Sequence, residues 1–100
     1  MVKHMIMWQL KDELTGEEKV AVKKGMKLGL EGLKGQIPGL LDIDVQIDRL
    51  PTSNADVLLN STFSDKAALE IYTNHPKHVT VADSKIRPFT KTRMCMDYEV

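Results

Sequence analysis

The first strand-like segment constrains the fold most, because it carries large apolar side chains on both of its faces. The segment Val2 to Leu10 alternates as a β-strand does, with Trp8 on one face and Met7 on the other. The segment Asp56 to Phe63 also places apolar groups on both faces, since Leu58 points away from Val57, Leu59 and Phe63. Strands that are apolar on both faces belong in the interior of a sheet, so we predict that these two segments are its central strands.

Two helical segments and two further strands complete the pattern. Thr15 and Glu18 form a capping box, which predicts a helix from about Gly16 to about Gly35. Its predicted core-facing side is Val22, Met26, Leu30, Leu33 and Ile37. Ser64 or Asp65 can cap a second helix that carries Ala68, Leu69 and Tyr72, and His75 can cap the helical segment from Pro76 to about Ile86. The segments Leu41 to Asp48 and Arg93 to Val100 alternate as strands, and Leu41, Ile43, Val45 and Ile47 share one face.

The resulting order, β-α-β-β-α-β, predicts an α+β ferredoxin-like fold with a four-stranded antiparallel sheet in one domain over residues 1–100. Strands one and three would be central, and strands two and four would be edges. Two helices can cover only one face of such a sheet. Met5, Met7 and Leu58 would then form an exposed apolar patch, so we predict a homodimer that packs sheet to sheet.

Composition excludes several classes of protein. Fourteen Lys and Arg residues balance fourteen Asp and Glu residues, which argues against binding to nucleic acid or to an anionic membrane surface. No apolar run is long enough to cross a bilayer, and the amino terminus lacks the pattern of a signal peptide, so we expect a cytoplasmic protein. The lone Cys95 cannot form an internal disulfide, and we expect a buried, inert thiol. The three histidines lack the spacing of a metal motif, so neither a metal nor a cofactor is predicted.

Several short motifs, in this order, give the chain a family resemblance. They are Lys3-His4, Lys11-Asp12, Thr15 to Glu18, Ile37-Pro38-Gly39-Leu40, the segment Tyr72-Thr73-Asn74-His75-Pro76-Lys77-His78, and Asp97-Tyr98-Glu99-Val100. Over nearly its whole length the chain resembles the stress-responsive α/β-barrel (Dabb) domain family, of the dimeric ferredoxin-like barrel superfamily. The resemblance implies a homodimeric α/β barrel with a pocket between sheet and helices in each protomer. It also implies, from a plant branch of cofactor-free polyketide (olivetolic acid) cyclases, that Tyr72 and His78 are a working pair and that His4 lines the same pocket.

Three functions are compatible with these residues. The first is the binding of a small apolar or aromatic molecule in a pocket bordered by His4, Tyr72 and His78, with Trp8 on the same strand face as His4. The second is a cofactor-free cyclase or isomerase acting on a β-keto compound, in which His78 is the base and Tyr72 donates a hydrogen bond to the enolate oxygen. The third is a purely structural, stress-protective assembly. The glycine stripe Gly25, Gly29 and Gly32 has two readings: close approach of a neighbouring helix, or a void beside Tyr72 and His78 in which Gly29 contacts the ligand.

Overall fold

The computed structural model describes all 100 residues, Met1–Val100. Its elements are β1 (Val2–Leu10), α1 (Gly16–Glu31), β2 (Leu40–Gln46), β3 (Val57–Phe63), α2 (Lys66–Asn74), α3 (Pro76–Val81) and β4 (Thr90–Glu99). A π-helical turn over Ala82–Ile86 and a 3₁₀ turn over Arg87–Phe89 connect α3 to β4. Four strands and three helices in this order confirm the predicted ferredoxin-like α+β fold.

The sheet has the strand order β2-β3-β1-β4, and all three strand pairs are antiparallel. The two strands with apolar residues on both faces, β1 and β3, are therefore central, as predicted. Along β1 the even-numbered residues face the helices, and the odd-numbered residues face the opposite, open side of the sheet. Cross-strand pairing places Asp97 of β4 opposite His4 and places Arg93 opposite Trp8. This register determines which β4 side chains reach the candidate site.

The helix starts follow the capping signals in the sequence. Thr15 accepts a hydrogen bond from the Glu18 amide, and the Glu18 side chain accepts one from the Thr15 amide, which completes the capping box. Asp65 caps α2 by accepting from the Ala68 amide at 2.8 Å. His75 caps α3, as predicted, because its Nδ1 accepts from the Lys77 amide at 3.1 Å. These caps fix where α2 ends and α3 begins, between Tyr72 and His78.

Two details of the predicted elements were wrong. Helix α1 ends at Glu31 and not near Gly35, because the chain turns through Gly32 and through Gly35, which has a φ of +79°. Leu33 and Ile37 nevertheless reach the core from these turns. Leu41 does not share a face with Ile43, because the strand register shifts between Leu40 and Asp42. Leu40 is buried in its place, and 48% of the Leu41 surface is exposed.

The open face of the sheet is largely apolar. Met7 pairs with Met94, and Met5 pairs with Met96, on the side that carries no helix. Met94 and Met96 are 68% and 66% exposed, and Met7 and Tyr98 are also exposed. No helix of the protein combines the length and the apolar character that crossing a membrane requires.

Candidate functional site

A cavity of about 340 Å³ opens between the helix-facing side of the sheet and the segment from α2 to β4. This volume lies at the lower end of the range for small-molecule sites. The sheet contributes His4, Trp8, Leu59, Thr90 and Arg93, and the helices and connecting turns contribute Leu30, Tyr72, Thr73, His78, Ala82, Ile86 and Arg87. The π-helical turn after α3 places Ile86 on the cavity wall, immediately before Arg87. Such turns are frequent at functional sites.

Tyr72 and His78 lie side by side in this cavity. Their ring centroids are 4.2 Å apart, because the break between α2 and α3 at His75 brings the two residues onto neighbouring turns. The Tyr72 ring also packs against Phe63 at 4.9 Å and lies 6.0 Å from the His4 ring. The structure therefore brings together three of the predicted site residues, His4, Tyr72 and His78.

The Tyr72 hydroxyl is buried, and no group of the protein hydrogen-bonds to it. Burial raises the pKa of this phenol above its ordinary value, so Tyr72 stays protonated and remains a hydrogen-bond donor at neutral pH. An unsatisfied buried hydroxyl costs about 1–3 kcal/mol and calls for an explanation. Tyr72 therefore combines an unpartnered hydrogen-bond donor with a position on the cavity lining.

Burial lowers the pKa of His78, and the Thr73 carbonyl opposes this shift by accepting a hydrogen bond from the ring. The Nδ1 of His78 lies 3.2 Å from that carbonyl oxygen. Since a carbonyl only accepts, Nδ1 carries the proton, and in the neutral ring Nε2 is the free basic nitrogen. The lowered pKa of His78 thus favours the neutral imidazole, and the hydrogen bond to Thr73 defines its tautomer beside the Tyr72 ring.

His4 is buried and forms a hydrogen bond with the Asp97 carboxylate through Nδ1. This partner fixes the orientation of the His4 ring and leaves Nε2 as its second nitrogen. Cys95 lies on the same face of β4, with its sulfur 3.8 Å from His4 Nδ1 and 3.5 Å from the Asp97 carboxylate. Partial burial and Asp97 raise the pKa of the Cys95 thiol, which disfavours the reactive thiolate. The expectation of a buried Cys95 was wrong, because no helix covers β4 and the residue is exposed.

Two of the predicted ligand-binding residues have different outcomes in the structure. Trp8 lines the cavity on the β1 side and is almost completely buried. Gly29 does not line it, so its prediction as a ligand contact beside Tyr72 and His78 was wrong. A Cβ atom on Gly29 would lie 3.0 Å from Val81 Cγ1, which means that the glycine permits the close approach of α1 to α3. The alternative reading of the glycine stripe, close helix packing, accounts for this position.

Comparison with known proteins identifies the family. The model of the stress responsive A/B barrel domain, Dabb, matches residues 2–100. The chain belongs to this family. No curated protein matches it in sequence.

Solved structures agree with this assignment of the Dabb domain. A dimeric protein of unknown function and ferredoxin-like fold from Bacteroides fragilis is 29% identical, with a TM-score of 0.93 over 99% of this chain and 95% of that chain. A Dabb family protein from Mesorhizobium loti is 19% identical, with a TM-score of 0.76 over 99% and 95% of the two chains. The hydroxynitrile lyase of Passiflora edulis is 16% identical, with a TM-score of 0.72 over 97% and 90%, and this likeness shows the shared fold alone.

Asp97, Arg87 and Arg93 are site residues of this Dabb domain that the sequence prediction did not include. Asp97 stands opposite His4 only because of the register between β1 and β4, which alternation within each strand does not reveal. Arg93 reaches the cavity because the same register places it opposite Trp8. The signal available in the sequence was that Arg93, Cys95 and Asp97 share one face of the last strand.

Proposed function

We propose that this Dabb domain binds a small, mostly apolar or aromatic molecule in the cavity bordered by His4, Tyr72 and His78. The observation that carries the proposal is Tyr72, which lines the cavity and whose buried hydroxyl has no partner in the protein. Apolar groups of Trp8 and Ile86 offer contact to the body of the ligand. The Tyr72 hydroxyl donates to a ligand oxygen, and the neutral His78 ring lies beside that oxygen.

Trp8 is the only tryptophan of the chain and lines the cavity, so its fluorescence reports ligand entry. We suggest phenylacetone as the probe, because it joins an aromatic ring to a carbonyl oxygen. Titration should change Trp8 emission in a saturable manner, and Tyr72→Phe should weaken the affinity. His75→Asn is the matched control, because His75 caps α3 without lining the cavity and asparagine retains a capping side chain. A signal that fails to saturate, or one that is unchanged in Tyr72→Phe, contradicts the proposal for this site.

Catalysis by the same residues is the second candidate, and the closeness of the Tyr72 and His78 rings favours it. His78 Nε2 takes an α-proton from a carbonyl compound, the electron pair of the C–H bond moves to the enolate, and Tyr72 donates a hydrogen bond to the enolate oxygen. The lowered pKa of His78 keeps this base unprotonated at neutral pH. That one protein with this fold is a hydroxynitrile lyase supports the idea that the scaffold can carry catalysis.

Deuterium exchange separates the catalyst from the binder. The enzyme should accelerate loss of the α-protons of phenylacetone in D₂O, followed by proton NMR, and both Tyr72→Phe and His78→Ala should remove this acceleration while remaining folded. A binder that is not a catalyst saturates the Trp8 signal without accelerating exchange. A structural protein shows neither effect, and its variants differ only in stability.

We further propose that two copies of the chain pair through the open face of the sheet. The exposed row of Met7, Met94, Met96 and Tyr98 supports this arrangement, as does the dimeric state of the Bacteroides fragilis relative. Met94→Glu should shift the mass measured by light scattering from two chains toward one. Leu28→Glu is the matched control, because Leu28 is an exposed leucine on α1, on the other side of the molecule. A single-chain mass for the unmodified protein contradicts the pairing.

A further inference from the structure

The cavity wall carries basic side chains and no acidic ones. Two arginines, Arg87 and Arg93, and two histidines line the cavity, and no aspartate or glutamate does. We infer that the ligand carries a carboxylate group, which Arg93 binds with support from Arg87. This inference rests on the proposed function and adds a substrate class to it, namely small aryl-substituted carboxylic acids.

Arg93 is the arginine whose charge no carboxylate of the protein neutralises through a salt bridge. Of the three arginines, Arg49 pairs with Asp56 and Arg87 pairs with Asp83, whereas Arg93 forms no salt bridge. Its position on β4, directly opposite Trp8, places it on the helix-facing side of the sheet, where it lines the cavity. A guanidinium group can hold a carboxylate through two parallel hydrogen bonds, which a lysine cannot do.

The acidic groups nearest to the cavity are already engaged. Asp97 is hydrogen-bonded to His4, and Asp83 is paired with Arg87 one helical turn away. Neither carboxylate lines the cavity, so neither competes there with a ligand for Arg93. Because Arg87 shares its charge with Asp83, Arg93 is expected to contribute the larger part of the binding.

The positions of the charges also indicate how such a ligand lies. Leu30, Leu59 and Ile86 form apolar wall, whereas the arginines lie on β4 and on the turn that precedes it. Both arginines lie close enough to act electrostatically on the His78 ring. A ligand with its ring among the apolar side chains and its carboxylate at Arg93 would pass directly beside Tyr72 and His78.

Two probes of the same size distinguish the effect of the ligand's charge on affinity from the effect of its shape. 3-Phenylpropanoate and 3-phenylpropanamide share the ring and the chain, and only the first carries a negative charge. Both are titrated against the full-length protein through Trp8 fluorescence, and acetate tests whether the anionic group is sufficient without the ring. We expect the acid to bind about 10-fold or more tightly than the amide, which corresponds to about 1.4 kcal/mol.

Arg93→Gln should remove most of this preference, because it should weaken binding of the acid much more than binding of the amide. Arg49→Gln, which deletes an arginine outside the cavity, should retain the preference, and added salt should reduce it in the unmodified protein. Equal affinity for acid and amide, or a preference that survives in Arg93→Gln, overturns the inference while the proposed function stands. If neither the acid nor the amide binds, the result counts against this inference and against the proposed function. Equally tight binding of acetate shows a simple anion site and overturns the assignment of an aryl acid.

Discussion

Replacing Tyr72 by phenylalanine is expected to make the protein more stable and, at the same time, to weaken its binding of the ligand. The substitution removes one oxygen atom that is buried and has no protein partner, and it leaves the ring contacts with Phe63 and His78 in place. An unsatisfied buried polar group costs about 1–3 kcal/mol. Because Tyr72 lines a cavity, we expect a gain near the lower end, about 1 kcal/mol in the free energy of unfolding. For a chain of this length that gain raises Tm by about 4–8 °C.

Urea unfolding followed by far-UV circular dichroism measures this gain, with every variant at one protein concentration because association also contributes to stability. Thr80→Val is the control, because it removes an exposed hydroxyl on α3, away from the open face of the sheet, and it should change stability by less than about 0.5 kcal/mol. A loss of 1 kcal/mol or more in Tyr72→Phe would show that the hydroxyl has a structural partner. The Tyr72 hydroxyl would then not be available to bind a ligand, and the proposed role of Tyr72 would be refuted.

Two further predictions concern a glycine turn and the pH dependence of stability. Gly39 has a φ of +80°, and a Cβ there would clash with Ala68 Cβ on α2, whereas Gly35, with a φ of +79°, has open space around it. Gly35→Ala should therefore lower the free energy of unfolding by about 1–2 kcal/mol through backbone strain alone. Gly39→Ala should lower it clearly more, because the added Cβ also meets α2. Equal losses for the two variants in urea unfolding would rule out the contact with α2. Because burial lowers the pKa of His78 in the folded state, the unfolded chain binds the proton more readily, so stability should fall as the pH falls below about 6.5. Thermal unfolding from pH 8 to pH 5 should show a smaller decline in His78→Gln, and an equal decline would contradict the shift.

The sequence predicted the elements whose signals are local. Alternation identified the four strands, and the capping residues Thr15, Asp65 and His75 marked the helix starts. The end of α1 was predicted too late, because Leu33 and Ile37 continue the helical spacing of apolar residues beyond the last helical residue, Glu31. The orientation of Leu41 was predicted wrongly, because a one-residue shift in strand register does not change the order of apolar residues in the sequence. Pairing between distant strands was equally invisible, which is why Asp97 and Arg93 were not assigned to the site.

The resemblance to the Dabb family supplied what periodicity does not, namely that Tyr72, His78 and His4 share one cavity. Their closeness depends on a helix break at His75 and on β1 lying under α2, and both are tertiary features. For Gly29, in contrast, neither the resemblance nor the sequence pattern predicted the observed environment. A glycine stripe inside a helix is compatible with a void or with a close neighbour, and only the packed position of Val81 decides between them.

The most direct test of the central claim is a crystal structure of the protein grown with 3-phenylpropanoate. The account predicts the ligand in the cavity between the sheet and the segment from α2 to β4. One carboxylate oxygen should lie about 2.5–3.0 Å from the Tyr72 hydroxyl, and the other should face Arg93. A cavity filled by rearranged side chains, or a ligand bound only at the open face of the sheet, would contradict it.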